Sequence, residues 1–408
     1  MGQTSIVLAD NVWILVATAL VFVMGFTGLA LFYGGLTRTK SMLNTIYMVM
    51  GSFALVSILW VIYGYSLAFS GDIASVIGTL KNFLLLNTSP TQPAPEAPNL
   101  YHYLFIFYQM TFAAITVGLI AGAYIERMKF SAWLLFGALW FTFVYAPVAH
   151  WIWGGGFLSQ LGVKDFAGGL VVHATSGIAA LVGAYVLGKR KEAVLIPSNL
   201  PLVALGTGLL AFGWFGFNGG SALAINYQAI TAAFVSVLAA FVAALVWAGL
   251  EWLKFGKPTT LGFMTGVIAG FATITPAAGF VDVIGGLIIG LLGGLACFAA
   301  VVWAKPKFKY DDALDVWGVH GVGGIVGTFA IALFASKSVG GVNGLFYGSA
   351  SLIFPQLVGI ITVVLYTAIV TFILLKVVDQ IIGLRVPQEV EIEGLDTNLH
   401  GEKAYGEK

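Results

Sequence analysis

Long apolar runs recur from residue 12 to residue 383, separated by short polar segments. A helix needs about 20 apolar residues to cross the hydrocarbon core of a bilayer. Eleven stretches reach that length: 12–36, 42–69, 101–124, 131–150, 166–188, 200–220, 226–253, 260–280, 283–304, 314–335 and 350–383. The pattern predicts an all-α polytopic membrane protein with eleven transmembrane helices. Only Asp282 divides the eighth stretch from the ninth. No Lys or Arg precedes the first stretch. It therefore lacks the basic start of a cleaved signal peptide and is read as a true span.

Two units follow, a transmembrane domain over 1–383 and a polar C-terminal tail over 384–408. The tail carries Glu389, Glu391 and Glu393 and reads as a solvated extension. Between the second and third stretches, Pro90, Pro93, Pro95 and Pro98 predict an extended, exposed loop.

Basic residues orient the bundle, because loops rich in Lys and Arg stay on the cytoplasmic side. One set of connections holds Arg38, Lys40, Arg127, Lys129, Lys189, Arg190, Lys191, Lys254, Lys257, Lys305, Lys307 and Lys309. Lys376, Arg385, Lys403 and Lys408 join it at the C-terminal end. The opposite set holds Lys81, Lys164 and Lys337. The alternation is unbroken. It predicts an odd number of spans, with the N-terminus outside and the C-terminus inside.

Composition narrows the class further. Of 408 residues, 59% are hydrophobic and 9% charged, against about 25% charged in soluble domains. Too few charges remain to coat a water-facing surface, so a soluble enzyme and a disordered chain are excluded. With a net charge of +1, nothing draws the chain toward nucleic acid. Its single cysteine, Cys297, leaves no internal disulfide and argues against a cysteine-ligated metal site.

Ionisable residues inside spans are costly and mark function. His173 follows Asp165 and two glycines in the fifth stretch, and His320 follows Asp315 at the start of the tenth. Matching places five spans apart imply halves of opposite direction. Spans 1–5 and 6–10 then form an inverted repeat, with the eleventh helix added, and paired sites lie near the midplane. Neutral imidazoles can exchange a proton near neutral pH. A buried interhelical hydrogen bond is the plainer role for either ring alone. Asp165 and Asp315 are also candidates for helix N-caps. His102 and His150 read as interfacial or loop residues, and His400 as a tail residue.

Aromatic residues gather toward the outer half, at Tyr108-Gln-Met-Thr-Phe112, His150-Trp-Ile-Trp153-Gly-Gly-Gly156 and Gly213-Trp-Phe-Gly-Phe217-Asn-Gly-Gly-Ser221. Aromatic faces attract small cations. A cation that must then cross an apolar pore has to shed its charge or its water. Together with neutral histidines, this pattern suits a small cation able to lose a proton.

These stretches resemble the ammonium transporter family, the Amt branch of the Amt/Mep/Rh superfamily. Further matching pieces are Leu31-Phe-Tyr-Gly-Gly35, Trp60-Val-Ile-Tyr-Gly-Tyr-Ser66, Ile115-Thr-Val-Gly-Leu119, Ile274-Thr-Pro-Ala-Ala-Gly279 and Val319-His-Gly321. They cover essentially the whole chain in family order. The resemblance implies a homotrimer in the cell (plasma) membrane with one path for ammonium or ammonia per protomer, and no cofactor. It implies an outer recruitment site at Trp153, Phe112 and Ser221, with Asp165 supporting it. A stacked gate would be Phe112 and Phe217, and twin pore histidines His173 and His320. Trp214 would line the pore beside them, with Thr275 as a second-rank wall residue. The tail, through Gly394-Leu-Asp-Thr-Asn-Leu-His-Gly401, resembles a cytoplasmic regulatory segment that contacts neighbouring protomers and meets a PII-type signal protein.

Three rival readings remain. A sodium-coupled carrier of a small organic solute requires carboxylates near the midplane. A membrane sensor of ammonium uses the same outer site without a continuous pore. An intramembrane metalloenzyme needs more ligands than two histidines, and no His-Glu-x-x-His pattern supplies them.

Overall fold

The computed structural model describes residues 6–192 and 196–406. Lys408, counted above with the basic tail residues, lies outside the described residues. Among these, ten helices are long and apolar enough to cross a membrane. They are α1 (Leu8–Leu36), α2 (Thr39–Phe69), α3 (His102–Tyr124), α4 (Phe130–Leu161), α5 (Gly169–Leu187), α6 (Leu200–Ala222), α7 (Tyr227–Phe255), α9 (Val283–Phe308), α10 (Trp317–Phe334) and α11 (Ile353–Ile382). The eighth expected span is the shorter α8 (Thr260–Ile274), followed by turns over 275–280. Pro276 contributes to the stop: it donates no hydrogen bond, so the ladder is broken just past Thr275, which is itself still helical. Fifteen residues rise about 22 Å, less than a full hydrocarbon core.

Apolar residues face outward as well as inward. Along α11, Leu357, Ile361, Leu365, Ile369 and Ile373 recur every fourth residue, and all are exposed. That stripe is one helix face of the kind that lipid covers. Inward, small residues let the helices close on one another. Gly177 of α5 lies against the Gly321 backbone of α10, where a Cβ would overlap it. Gly324 of α10 lies against the Gly169 carbonyl of α5 in the same way.

Several spans contain π-helical turns, among them Gly169–Ala174 in α5, Phe215–Gly219 in α6 and Trp317–Gly321 in α10. Such turns add a residue to the helix and frequently sit at functional sites. Here they carry His173, Phe217 and His320 respectively.

Two expected loose segments are packed. The proline-rich connection forms a short antiparallel hairpin of β1 (Pro93–Ala94) and β2 (Ala97–Tyr101). It buries Ala94, Ala97 and Leu100, and the Asn99 amide reaches Asp10 Oδ2 and the Leu223 carbonyl, each at 2.8 Å. Proline removes backbone donors but not the apolar surface that drives this docking. The tail also folds back rather than extending into solvent. Asp396 accepts from the Leu43 and Asn44 N–H groups at 3.0 and 2.8 Å, near the start of α2. His400 sits against Tyr47 and Phe130.

Of the two readings of His102 and His150, interfacial or loop, the loop is excluded. Both are buried in helices. His102 shares a 2.6 Å hydrogen bond with Tyr65, and His150 bridges the Ala68 carbonyl and Asp72 at 2.9 and 3.0 Å. Their polarity is consumed by partners brought in from α2 and the connection after it.

Candidate functional site

Three cavities lie in series along the bundle, from the hairpin end to the tail end. The first is a vestibule of about 240 Å³ lined by residues including Phe112, Trp153, Ser221, Glu96 and Gln109. The second is a narrow cavity of about 10 Å³ between Phe217 and the two histidines, walled by Met24, Ile115, Trp214 and other apolar side chains. The third, of about 90 Å³, shares Phe32, Tyr33, Ile268 and His320 with the second and reaches Asp315 near the tail end.

Phe112 and Phe217 separate the first cavity from the second. Their rings stack with centroids 4.3 Å apart and 27° between planes. Trp153 stands at the vestibule, edge-on to Phe112 at 6.0 Å. Its indole N–H donates to the Asp165 carbonyl at 2.9 Å, which fixes the ring. The Asp165 carboxylate accepts from the N–H groups of Gly168, Gly169, Leu170 and Val171 at 2.6–3.1 Å. It caps α5 at the end where four donors would otherwise be unpaired and the helix dipole is positive. With all of its close partners in the backbone, it supports the site from behind. Ser221 donates to the Phe217 carbonyl at 2.8 Å and is among the residues lining the vestibule.

Below the gate, His173 Nδ1 and His320 Nδ1 are 3.1 Å apart, and the near-parallel rings are both buried. One Nδ1 must carry the hydrogen and the other accept it, so each ring sets the tautomer of the other. His173 Nε2 is buried with no protein partner. Trp214 flanks His173 at 6.0 Å and stacks on Phe271. Its N–H donates to Thr275 Oγ1 at 3.0 Å. Thr275, expected as a second-rank wall residue, stands one layer behind the lumen: it anchors Trp214 and lines none of the three cavities.

The matching cap on α10 is Asp312 rather than Asp315. Asp312 accepts from the Trp317 N–H at 2.7 Å, whereas Asp315 pairs with Lys305 at 2.6 Å. Burial pushes the Asp312 carboxyl up to about 6, against the opposing pull of Lys305. The signal was present as the Asp311-Asp312 doublet ahead of Trp317. Tyr108 was visible in an aromatic motif, but its role was not. Its hydroxyl donates to the Gly216 carbonyl at 2.8 Å and lies 3.3 Å from Ser221 Oγ. Nothing in the sequence pointed to Glu96 as a vestibule residue.

At the tail end a buried ion network ties the helices together. Arg190 grips Asp311 through Nε and Nη2 at 2.9 and 2.8 Å and reaches Glu126 at 3.0 Å, which also pairs with Arg38 at 2.9 Å. Burial alone would raise the Asp311 carboxyl, but Arg190 and Arg127 hold it down at about 2.

Comparison with known proteins agrees with this layout over nearly the whole chain. The Ammonium Transporter Family profile matches residues 12–405. The chain belongs to the ammonium transporter family. An ammonium transporter of Aquifex aeolicus is 51% identical over 402 residues, covering 97% of this chain and 93% of that protein. The crystal structure of Saccharomyces cerevisiae Mep2 superposes with a TM-score of 0.87 at 37% identity, over 94% of this chain and 88% of that one. A structure described as a sensor Amt protein superposes with a TM-score of 0.89 at 26% identity, over 98% and 99%. These family members are transport proteins rather than enzymes, and this chain shares their multi-pass membrane architecture.

Proposed function

We propose that this ammonium transporter family member takes up ammonium at the vestibule, passes its proton to vestibule water or to the histidine pair, and conducts ammonia along the apolar lumen. In this reading Trp153 attracts the cation through its ring face and Ser221 accepts a hydrogen bond from it. The stacked pair Phe112 and Phe217 is the gate. Ammonia then moves past His173 and His320, with Trp214 beside them and Thr275 holding Trp214 in place. Asp165 braces the recruitment site without touching substrate.

The observation that carries this reading is the pair of imidazoles joined at 3.1 Å inside an otherwise apolar passage. A bare cation there would lose its hydration, at a cost of several kcal/mol even after relaxation. Neutral ammonia escapes that cost, and potassium, which has no proton to lose, does not. The sodium-coupled carrier is not favoured, because none of the described residues lining the middle cavity is acidic.

The same reading places eleven spans in the cell membrane as an inverted repeat plus one helix, with the N-terminus and hairpin outside and the C-terminus inside. It takes α8 and the turns after it together as the eighth span. The working form is a homotrimer, and residues 384–408 are a regulatory tail open to a PII-type signal protein. Ammonium sensing is a secondary role, supported by the likeness to a sensor Amt protein and by the docked tail.

The test is ammonium-evoked current and uptake in proteoliposomes, with potassium as control, for His173→Ala, His320→Ala and the double variant. Loss of ammonium transport or of discrimination against potassium is expected. A double variant that retains both would remove the histidines from the pathway. Ammonium binding without flux in the unmodified protein would favour the sensor.

A further inference from the structure

The vestibule has two chemically distinct walls. One is aromatic, with Trp153, Phe112 and Phe105. The other carries Glu96 from the hairpin turn and Gln109 from α3. Glu96 is the only charged residue among those lining the cavity. Gln109 is 9% exposed, and its buried carbonyl oxygen Oε1 has no hydrogen-bond partner in the protein. A buried acceptor without a donor costs about 1–3 kcal/mol, and a half-turn of the amide, which borders the cavity, would carry that oxygen to the vestibule, where N–H groups or positive charge can meet it.

From this arrangement we infer that Glu96 and Gln109 form a cation-collecting shelf, which holds ammonium opposite Trp153 before it reaches the gate. The inference rests on the proposed function and adds to it the residues that set apparent affinity. A carboxylate and an amide oxygen accept from different N–H groups of one ammonium ion, while the indole face takes the positive charge. The aromatic wall attracts any small cation, whereas the two oxygens favour one that carries hydrogen-bond donors.

The hairpin determines where Glu96 sits. Ala94 and Ala97 pair across the turn and are buried, which holds the intervening residues over the vestibule mouth. Tyr65 of α2 donates to Glu96 Oε2 at 3.4 Å and also meets His102 at the start of α3. Among the described residues, Tyr65 is the titratable group in contact with Glu96, and His102 reaches it only through the Tyr65 hydroxyl. Asp10 of α1 borders the same mouth through Asn99, and Asp165 lies behind Trp153 with its oxygens taken by backbone donors. No lysine or arginine pairs with Glu96 among the described ion pairs.

Partial burial beneath the hairpin pushes the Glu96 carboxyl up to about 7, while its hydrogen bonds with the backbone and Tyr65 pull the other way. The shelf is therefore charged above neutral pH and neutral below it. Ammonium is the dominant form of the substrate throughout that window, so a change in affinity there reports the protein.

The experiment is ammonium-evoked current in proteoliposomes, with the half-saturating concentration and maximal current measured from pH 6 to pH 8. In the unmodified protein the half-saturating concentration should fall as pH rises. Glu96→Gln should raise it about five-fold at pH 8, as expected for a partly exposed charge contact, and abolish its pH dependence. Maximal current should stay within about two-fold, because gate and histidines are untouched. Glu96→Asp retains the charge and should retain the slope. Gln109→Leu, which removes the amide but not the carboxylate, should raise the half-saturating concentration and keep the slope, and it serves if Glu96→Gln fails to fold. An unchanged half-saturation and slope in Glu96→Gln overturns the shelf. So does a Glu96→Asp protein that behaves like Glu96→Gln. Absence of ammonium flux in the unmodified protein would instead sink the proposed function.

Discussion

Gly177 and Gly321 meet backbone to backbone where α5 crosses α10, four residues past His173 and one past His320. Because neither residue has a Cβ, the helices approach closely enough for two imidazoles to share one hydrogen bond. The shared geometry of the histidines is thus a consequence of helix packing as much as of the rings themselves.

A methyl group at this crossing should be damaging. Gly177→Ala improves local helix propensity by about 1 kcal/mol but overpacks the contact, at about 1–3 kcal/mol. A lower melting temperature in detergent and a strongly reduced ammonium current are expected. Gly249→Ala is the control, since nothing lies within 4 Å of a Cβ built there. Equal behaviour of the two variants would show that the crossing tolerates separation.

Trp153 gives a second handle, through its ring face at the vestibule. Replacement by leucine keeps an apolar surface and removes the cation–π contact, worth about 1–2 kcal/mol. The half-saturating ammonium concentration should rise roughly five- to thirty-fold, with a smaller effect on maximal current. Titration of current against ammonium at fixed pH measures this. An unaltered half-saturation would remove Trp153 from recruitment.

The tail-end ion network predicts a pH dependence of stability. Asp311 is held at about 2 when folded, against an ordinary value of 3.8. Its folded value is depressed, so its contribution is complete above about pH 4 and is lost as pH falls through about 2. The size is about 2 kcal/mol. Asp311→Asn should lower the melting temperature at pH 7 and flatten the acid limb between about pH 4 and pH 2, as followed by thermal unfolding in detergent. A variant with the same acid limb as the parent would assign that loss of stability to other groups.

The docked tail makes a further prediction. Asp396 is 1% exposed and accepts from two backbone N–H groups near the start of α2. Asp396→Ala removes both bonds, each with a charged acceptor and worth about 1.5–3 kcal/mol. Limited proteolysis should then cut the segment after residue 384 faster than in the parent, at least ten-fold by conversion of that energy. Equal cleavage rates would mean that Ser41, Lys40 and the bonds from Arg385 to the Leu187 and Lys189 carbonyls hold the tail without Asp396.

Much of the architecture could be read before any coordinates. Ten of the eleven apolar stretches became spans of sufficient length, because a bilayer crossing imposes a length that hydropathy reports directly. The exception, α8, turns on a single proline whose effect a sliding average hides. His173 and His320 stood out because ionisable residues inside spans are rare. Aspartate was harder to place. Asp315 and Asp312 are three residues apart, and which of them faces the N-terminal donors of α10 depends on a backbone turn with Asp315 at φ +59°. The docking of the hairpin and of the tail is hidden from the sequence for a related reason. Composition says whether a segment prefers water, but not whether a neighbouring surface offers partners for its backbone.

What the order of residues settled was the set of segments that must leave water, the placement of two imidazoles among them and the aromatic groups near one end. These follow from transfer free energies that belong to each residue and need no partner. Everything that depends on distance came from packing: the 3.1 Å link between the histidines, the ring stack above them, Thr275 behind Trp214 and Glu96 on the vestibule wall. Contacts between residues a hundred positions apart arise from how ten or more helices fill a common interior, and the shape of that interior is a property of the assembled bundle rather than of any stretch within it.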